Sequence, residues 1–96
     1  MIVSFGDDAT ADLYHGRTSN RIRRFPPTII KPLLRKLDMI NAAHTINDLR
    51  QPPGNHLELL KGDFTGYYSI RVNDQWRIIF QWNNNNAHAV SLIDYH

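Results

Sequence analysis

Cysteine is absent from the 96 residues. That excludes disulfide bonds, thiolate nucleophiles and thiolate zinc sites together, and it suits a reducing compartment. Also missing is an apolar run of roughly 20 residues, the length a helix needs to cross a bilayer. The opening Met1-Ile2-Val3-Ser4-Phe5 has no basic residue and is stopped by Gly6-Asp7-Asp8, so it lacks the basic start and long apolar core of a signal peptide. A cytoplasmic location is expected, with no membrane partner. The histidines, His15, His44, His56, His88 and His96, form no i,i+4 pair and have no carboxylates at ligand spacing. Neither a metal nor any other cofactor is expected on that ground. A glycine-rich phosphate loop and a Gly-x-Ser-x-Gly elbow are missing too, and no spacing favours Ser-His-Asp catalysis.

What is present describes an ordinary globular chain: 42% hydrophobic and 21% charged residues, enough for one core and too short for two, so residues 1–96 are read as a single domain. The net charge of +2 says little about partners. Its distribution says more, because Arg17, Arg21, Arg23 and Arg24 crowd together after Asp7, Asp8 and Asp12. Such a run is either a solvated face or a phosphate-contacting patch, since guanidinium groups make forked bonds to phosphate oxygens.

Along the chain, Ile2 to Phe5 reads as a short strand. A short helix from about Asp8 to His15 follows, capped by Asp7 or Asp8 and closed by Gly16. Pro26-Pro27 opens a longer helix in which Ile29, Ile30, Leu33, Leu34, Leu37, Ile40 and Ala43 recur at spacings of three and four. Pro32 would clash with the carbonyl of Thr28 in a helix interior, so either the helix starts a turn later or it kinks. Thr45 to Asp48 resembles a capping box, and the stretch from Gln51 to Asn55 is a loop.

From Leu57 the period changes to two. Leu57–Leu60, Tyr67–Val72, Trp76–Trp82 and Ala87–Ile93 read as strands, the middle pair joined by the tight turn Asn73-Asp74-Gln75. Tyr67, Ser69 and Arg71 share one face, and Arg77 lies opposite Trp76, Ile78 and Phe80, pointing away from the core. Trp76, Phe80 and Trp82 are read as core rather than as base-stacking platforms. The expected fold is α+β: a short N-terminal strand and two helices packed on one face of an antiparallel sheet.

The chain ends in Asp94-Tyr95-His96, an acid, a phenol and an imidazole together. A fraying end would leave them without a role. Cleavage of RNA by its own 2′-OH needs little more than such a set: a base for the 2′ proton, a donor or cation for the phosphate charge, and an acid for the leaving 5′ oxygen. Imidazole suits proton transfer near neutral pH, and a tyrosine can stack on a base or donate to a phosphate oxygen.

Three blocks in order, Pro52-Pro53-Gly54-Asn55-His56-Leu57-Glu58-Leu59-Leu60-Lys61-Gly62-Asp63, then Gly66 to Phe80, then Asp94-Tyr95-His96, resemble the HigB toxins of the RelE/ParE superfamily. The resemblance implies a RelE-like fold and a metal-free endoribonuclease (an mRNA interferase) that cuts translated mRNA in the ribosomal A site. It implies a HigA-type helix-turn-helix antitoxin as partner, with operator DNA reached only through that antitoxin. Carried over residue by residue, Asp94, Tyr95 and His96 match the catalytic cluster, and Lys61 and Arg77 match basic positions at the scissile phosphate. Glu58 stands where some relatives place a catalytic histidine, two residues after His56. His96 is the expected general acid or base and Glu58 a candidate base, with Arg17, Arg21, Arg23 and Arg24 as further RNA contacts. Two other readings accompany this one: a superfamily toxin that binds and inhibits DNA gyrase without RNase activity, and a non-catalytic protein that binds RNA or titrates antitoxin.

Overall fold

A computed structural model describes residues 1–94 of the chain. Helix α1, Asp8–Tyr14, starts where Asp7 accepts bonds from the Thr10 amide (2.7 Å) and the Thr10 hydroxyl (3.0 Å). Its free N-terminal amides are thereby partly satisfied. A 3-10 turn at Asn20–Arg24 and another at Pro27–Ile29 lead into α2, Ile30–Ala42. Of the two solutions for Pro32, the structure takes the later start. The α-helix proper begins at Ile30, so Pro32 falls in its first turn, where a missing N–H is least costly. The capping box at Thr45 and Asp48 is present and opens a 3-10 turn over Ile46–Arg50.

The sheet is an antiparallel meander of four strands, β1 (Glu58–Leu59), β2 (Tyr68–Arg71), β3 (Trp76–Asn83) and β4 (Asn86–Asp94), paired in chain order. The N-terminal strand expected at Ile2 to Phe5 is reduced to two isolated parallel bridges, Ile2 to Ala87 and Phe5 to Val90. Its ladder cannot run continuously because β4 carries a bulge where the two meet. Ile79 pairs with Ser91 but Gln81 pairs with His88, which leaves one extra residue on β4, and Ala89 takes φ 53°. The bulge changes the phase of β4, so that Ala87 and Val90, odd and even in number, are both fully buried. The turn from β3 to β4 has Asn84 and Asn85 at φ 52° and 61°. Two consecutive left-handed residues suit a two-residue hairpin, and asparagine tolerates them.

The helices cover one face of this sheet. Leu33, Leu37 and Ile40 of α2 pack with Ile70, Ile78, Phe80, Val90 and Leu92, all at most 1% exposed, and Trp76 and Trp82 pack against this core. Leucine and isoleucine at three-and-four spacing on α2 and alternate residues on the strands produce that interface directly. No helix among the described residues is long and apolar enough to cross a membrane.

Candidate active site

The site is built on the sheet face away from the helices. Strand pairing sets two rows there. Glu58, Ser69, Ile79 and Ser91 lie side by side across the four strands, and next to them Arg71, Arg77 and Ile93 form a second row. Directly paired residues project to the same side, so alternation along β3 fixes Arg77 on this face while Ile78 and Phe80 enter the core. The expected direction of Arg77 is therefore observed.

Its exposure differs from that of an ordinary surface arginine, for Arg77 is only 8% exposed. Its Nε donates to Ser69 Oγ at 2.9 Å, and Nη2 donates to the carbonyl of His56 at 2.6 Å. Its Nη1 stands 3.6 Å from Glu58 Oε1, and the carboxylate side of that pair is 51% exposed. A buried cation must be matched by acceptors. Here two neutral oxygens hold the inner edge of the guanidinium plane and a solvated carboxylate meets the outer one. Because Glu58 is half in water, the pair is weak and can be exchanged for another anion.

The His56 carbonyl is delivered by a loop that reads as solvent-exposed in sequence but has a buried anchor. A cis Gln51–Pro52 peptide precedes a 3-10 turn at Pro53–Asn55, and His56 follows in the left-handed region at φ 46°, ψ 54°. Asn55 is completely buried. Its Nδ2 donates to the carbonyls of Leu49 (3.1 Å) and Gln51 (3.3 Å), while its Oδ1 accepts from Lys36 Nζ of α2. Burial, with Arg35 nearby, holds the Lys36 ammonium below the usual lysine range.

Of the residues expected to act together, Arg77 and Glu58 meet. Lys61 is exposed on the same sheet edge, three residues along from Glu58 and just before the 3-10 turn Gly62–Phe64. Asp94 is in register with Trp76, so its side chain leaves the ladder on the opposite side from that of Arg77, and it accepts a bond from Gln75 Nε2 at 3.1 Å. The preceding residue, Ile93, pairs with Arg77 itself. Tyr95 and His96, the remaining expected catalytic residues, lie outside the described residues.

The arginine cluster lies around the 3-10 turn after α1. Arg17 and Arg21 reach Asp12 at 3.6 and 3.1 Å, and Ser19 Oγ donates to the same carboxylate at 2.8 Å. The Ser19 bond first, and then the two guanidinium groups, hold the Asp12 carboxyl below its ordinary range against the opposing effect of burial. Arg24 lies over the Phe25 ring at 5.4 Å, and Arg17 and Arg23 flank a cavity of about 450 Å³ floored by Ile22, Phe25, Pro27 and Ile30. All four arginines are exposed. Among the described residues no group of three histidine, aspartate or glutamate side chains could hold a metal ion.

Sequence reasoning passed over Ser69, Asn55 and the His56 carbonyl as parts of the site. For Ser69 the signal existed, since alternation already put it on Arg77's side of the sheet. For Asn55 in a proline–glycine loop there was none.

The family model for the RelE-like toxin HigB of type II toxin–antitoxin systems matches residues 3–96. The chain belongs to the HigB-like toxin family. It is 44% identical over 82 residues to Toxin HigB-1 of Vibrio cholerae, covering 85% of this chain and 84% of that one. It is 41% identical over 61 residues to Endoribonuclease HigB of Proteus vulgaris, covering 64% and 65% respectively. Among solved structures, a YafQ mutant from E. coli superposes with a TM-score of 0.65 at 13% identity, covering 98% and 93%. YoeB in its complex with YefM from Staphylococcus aureus gives 0.60 at 21%, covering 100% and 98%. At those identities the likeness concerns the fold alone: two helices on a four-strand antiparallel sheet, as expected from the sequence for a RelE-like toxin of the HigB family.

Proposed function

We propose that this HigB-like toxin is an endoribonuclease that cuts translated mRNA in the ribosomal A site, without a metal ion, by attack of the RNA's own 2′-OH. The observation that carries the reading is the pairing of Ile93 with Arg77. The C-terminal strand runs past a nearly buried guanidinium, and the expected catalytic residues Asp94, Tyr95 and His96 follow Ile93 in sequence. A relative of 41% identity is named an endoribonuclease, which supports the same chemistry.

In this mechanism the scissile phosphate displaces Glu58 from the outer edge of Arg77, and Lys61 adds a second positive charge. Together they offset the charge that builds on the phosphorane oxygens. A base removes the 2′ proton as O2′ bonds to phosphorus; the P–O5′ bond breaks, and an acid protonates O5′. His96 serves as the acid or the base, with Glu58 as a candidate for the base, while Tyr95 stacks on or positions the mRNA and Asp94 orients its neighbours. The products are a cyclic or 3′ phosphate and a 5′ hydroxyl. Arg17, Arg21, Arg23 and Arg24 contact phosphates away from the cut. The partner that silences the protein is a HigA-type helix-turn-helix antitoxin, through which alone it meets operator DNA, and the site of action is the cytoplasm.

Purified protein added to programmed ribosomes is expected to cut within codons and to leave gyrase supercoiling unchanged. His96→Ala, or removal of the last three residues, abolishes cutting while the fold survives. Full activity after that truncation refutes the assignment.

A further inference from the structure

The loop that reaches Arg77 contains a fully buried asparagine, and a half-buried lysine of α2 bonds to it. Asn55 is 0% exposed and makes contacts in three directions. It grips its own loop through the Leu49 and Gln51 carbonyls, at 3.1 and 3.3 Å, and it grips α2 through Lys36. The next residue, His56, is held in a left-handed conformation that side chains rarely adopt, and its amide donates to the Pro53 carbonyl at 3.1 Å. That conformation aims the His56 carbonyl at Arg77 Nη2, 2.6 Å away across 21 residues of sequence.

We propose that Asn55, tethered to α2 by Lys36, is a positioning residue: it fixes the His56 carbonyl and thereby sets the orientation of the Arg77 guanidinium. The proposal rests on the endoribonuclease reading for its catalytic consequence, though its structural half stands without it. On the sheet, Arg77 Nε bonds to Ser69 at 2.9 Å and Nη1 pairs weakly with Glu58. The His56 carbonyl holds Nη2 as well, and bonds at Nε and Nη2 together define the plane in which the guanidinium lies. Reorienting such a fork by about 1 Å can cost on the order of 10²-fold in rate with little effect on binding.

Two substitutions separate positioning from mere support. Asn55→Asp keeps the acceptor for Lys36 but loses both donors to the loop carbonyls. Lys36→Met keeps the loop bonds and removes only the tether to the helix, which protects the test if the first variant does not fold. The first readout is independent of activity: the ¹⁵N-resolved Nη–H signals of Arg77, whose separation and exchange protection report whether the His56 carbonyl holds Nη2 and stops rotation about the Nε–Cζ bond. Loss of that protection in a folded Lys36→Met or Asn55→Asp protein supports the proposal, and an unchanged signal in both overturns it, whatever the ribosome assay shows.

The second readout is kcat against KM for mRNA cleavage on ribosomes. A fall in kcat of on the order of 10²-fold with KM nearly constant is expected. In an Arg77→Ala background the same substitution should cost almost nothing further. An equal loss in both backgrounds means a general structural role and overturns the proposal. A wild-type protein that does not cut RNA, with the Arg77 signal still responding to Lys36→Met, would sink the endoribonuclease reading and leave the positioning role standing.

Discussion

Replacing Arg77 by methionine keeps most of the side-chain volume and its apolar stem while deleting the charge and its donors. The structure allows the cost to folding and the cost to chemistry to be worked out separately. On the folding side, the substitution leaves the His56 carbonyl and Ser69 Oγ without the donors they meet at 2.6 and 2.9 Å. An unsatisfied buried acceptor costs about 1–3 kcal/mol. The Glu58 pair adds little, because its carboxylate is 51% exposed and such pairs contribute about 0–1 kcal/mol. Relief from holding a guanidinium out of water offsets part of the loss. The net destabilisation should be about 1–3 kcal/mol. A domain with about 5 kcal/mol of stability then keeps at least about 2, which leaves about 97% of it folded. On the chemical side, removing a preorganised donor from the phosphorane costs about 2.7–4 kcal/mol of barrier, on the order of 10²–10³ in rate. Urea unfolding followed by the fluorescence of Trp76 and Trp82, beside single-turnover cleavage of ribosome-bound mRNA, measures both. Cutting at the wild-type rate, or a loss no larger than the unfolded fraction, would refute the reasoning.

Two further outcomes follow from the fold. Asp12 is held below the ordinary aspartate value of 3.8 chiefly by Ser19, and Asp48 likewise by the Thr45 and His44 amides. A depressed folded pKa means stability that is present above the unfolded value and lost as pH falls through the folded one. Acid unfolding should therefore draw on these groups below 3.8, and an Asp12→Asn, Asp48→Asn protein should show a flatter loss of urea midpoint there while being weaker at neutral pH. Ala89 sits at φ 53° in the bulge, where an L residue is strained by roughly 1–2 kcal/mol. After the extra chain entropy of glycine is subtracted, Ala89→Gly should stabilise by about 0.5–1 kcal/mol. A lower melting temperature would contradict that.

The amphipathic stripe of α2, the alternation of β3 and the capping residues Asp7 and Thr45 were all legible in the sequence, because each depends on neighbours within about one helical turn or one strand period. Alternation alone placed Arg77 opposite Ile78 and Phe80, and that placement holds. The start of α2 was open between two solutions, since a proline constrains its own turn without saying which turn comes first. The continuous strand at Ile2 to Phe5 did not form, because its length depends on a bulge in β4 that lies more than eighty residues away.

By itself, then, the order of residues determined which side of the sheet carries the arginine and which chemical groups follow one another at the C-terminal end. Tertiary structure alone decided that a proline–glycine loop closes over that arginine, that Asn55 is buried to hold the loop, and that Glu58 faces the guanidinium. The physical reason is the range of the forces involved. Periodic burial is set by adjacent residues, whereas satisfying a buried cation requires acceptors from whatever segments the packed core brings within about 3 Å of it.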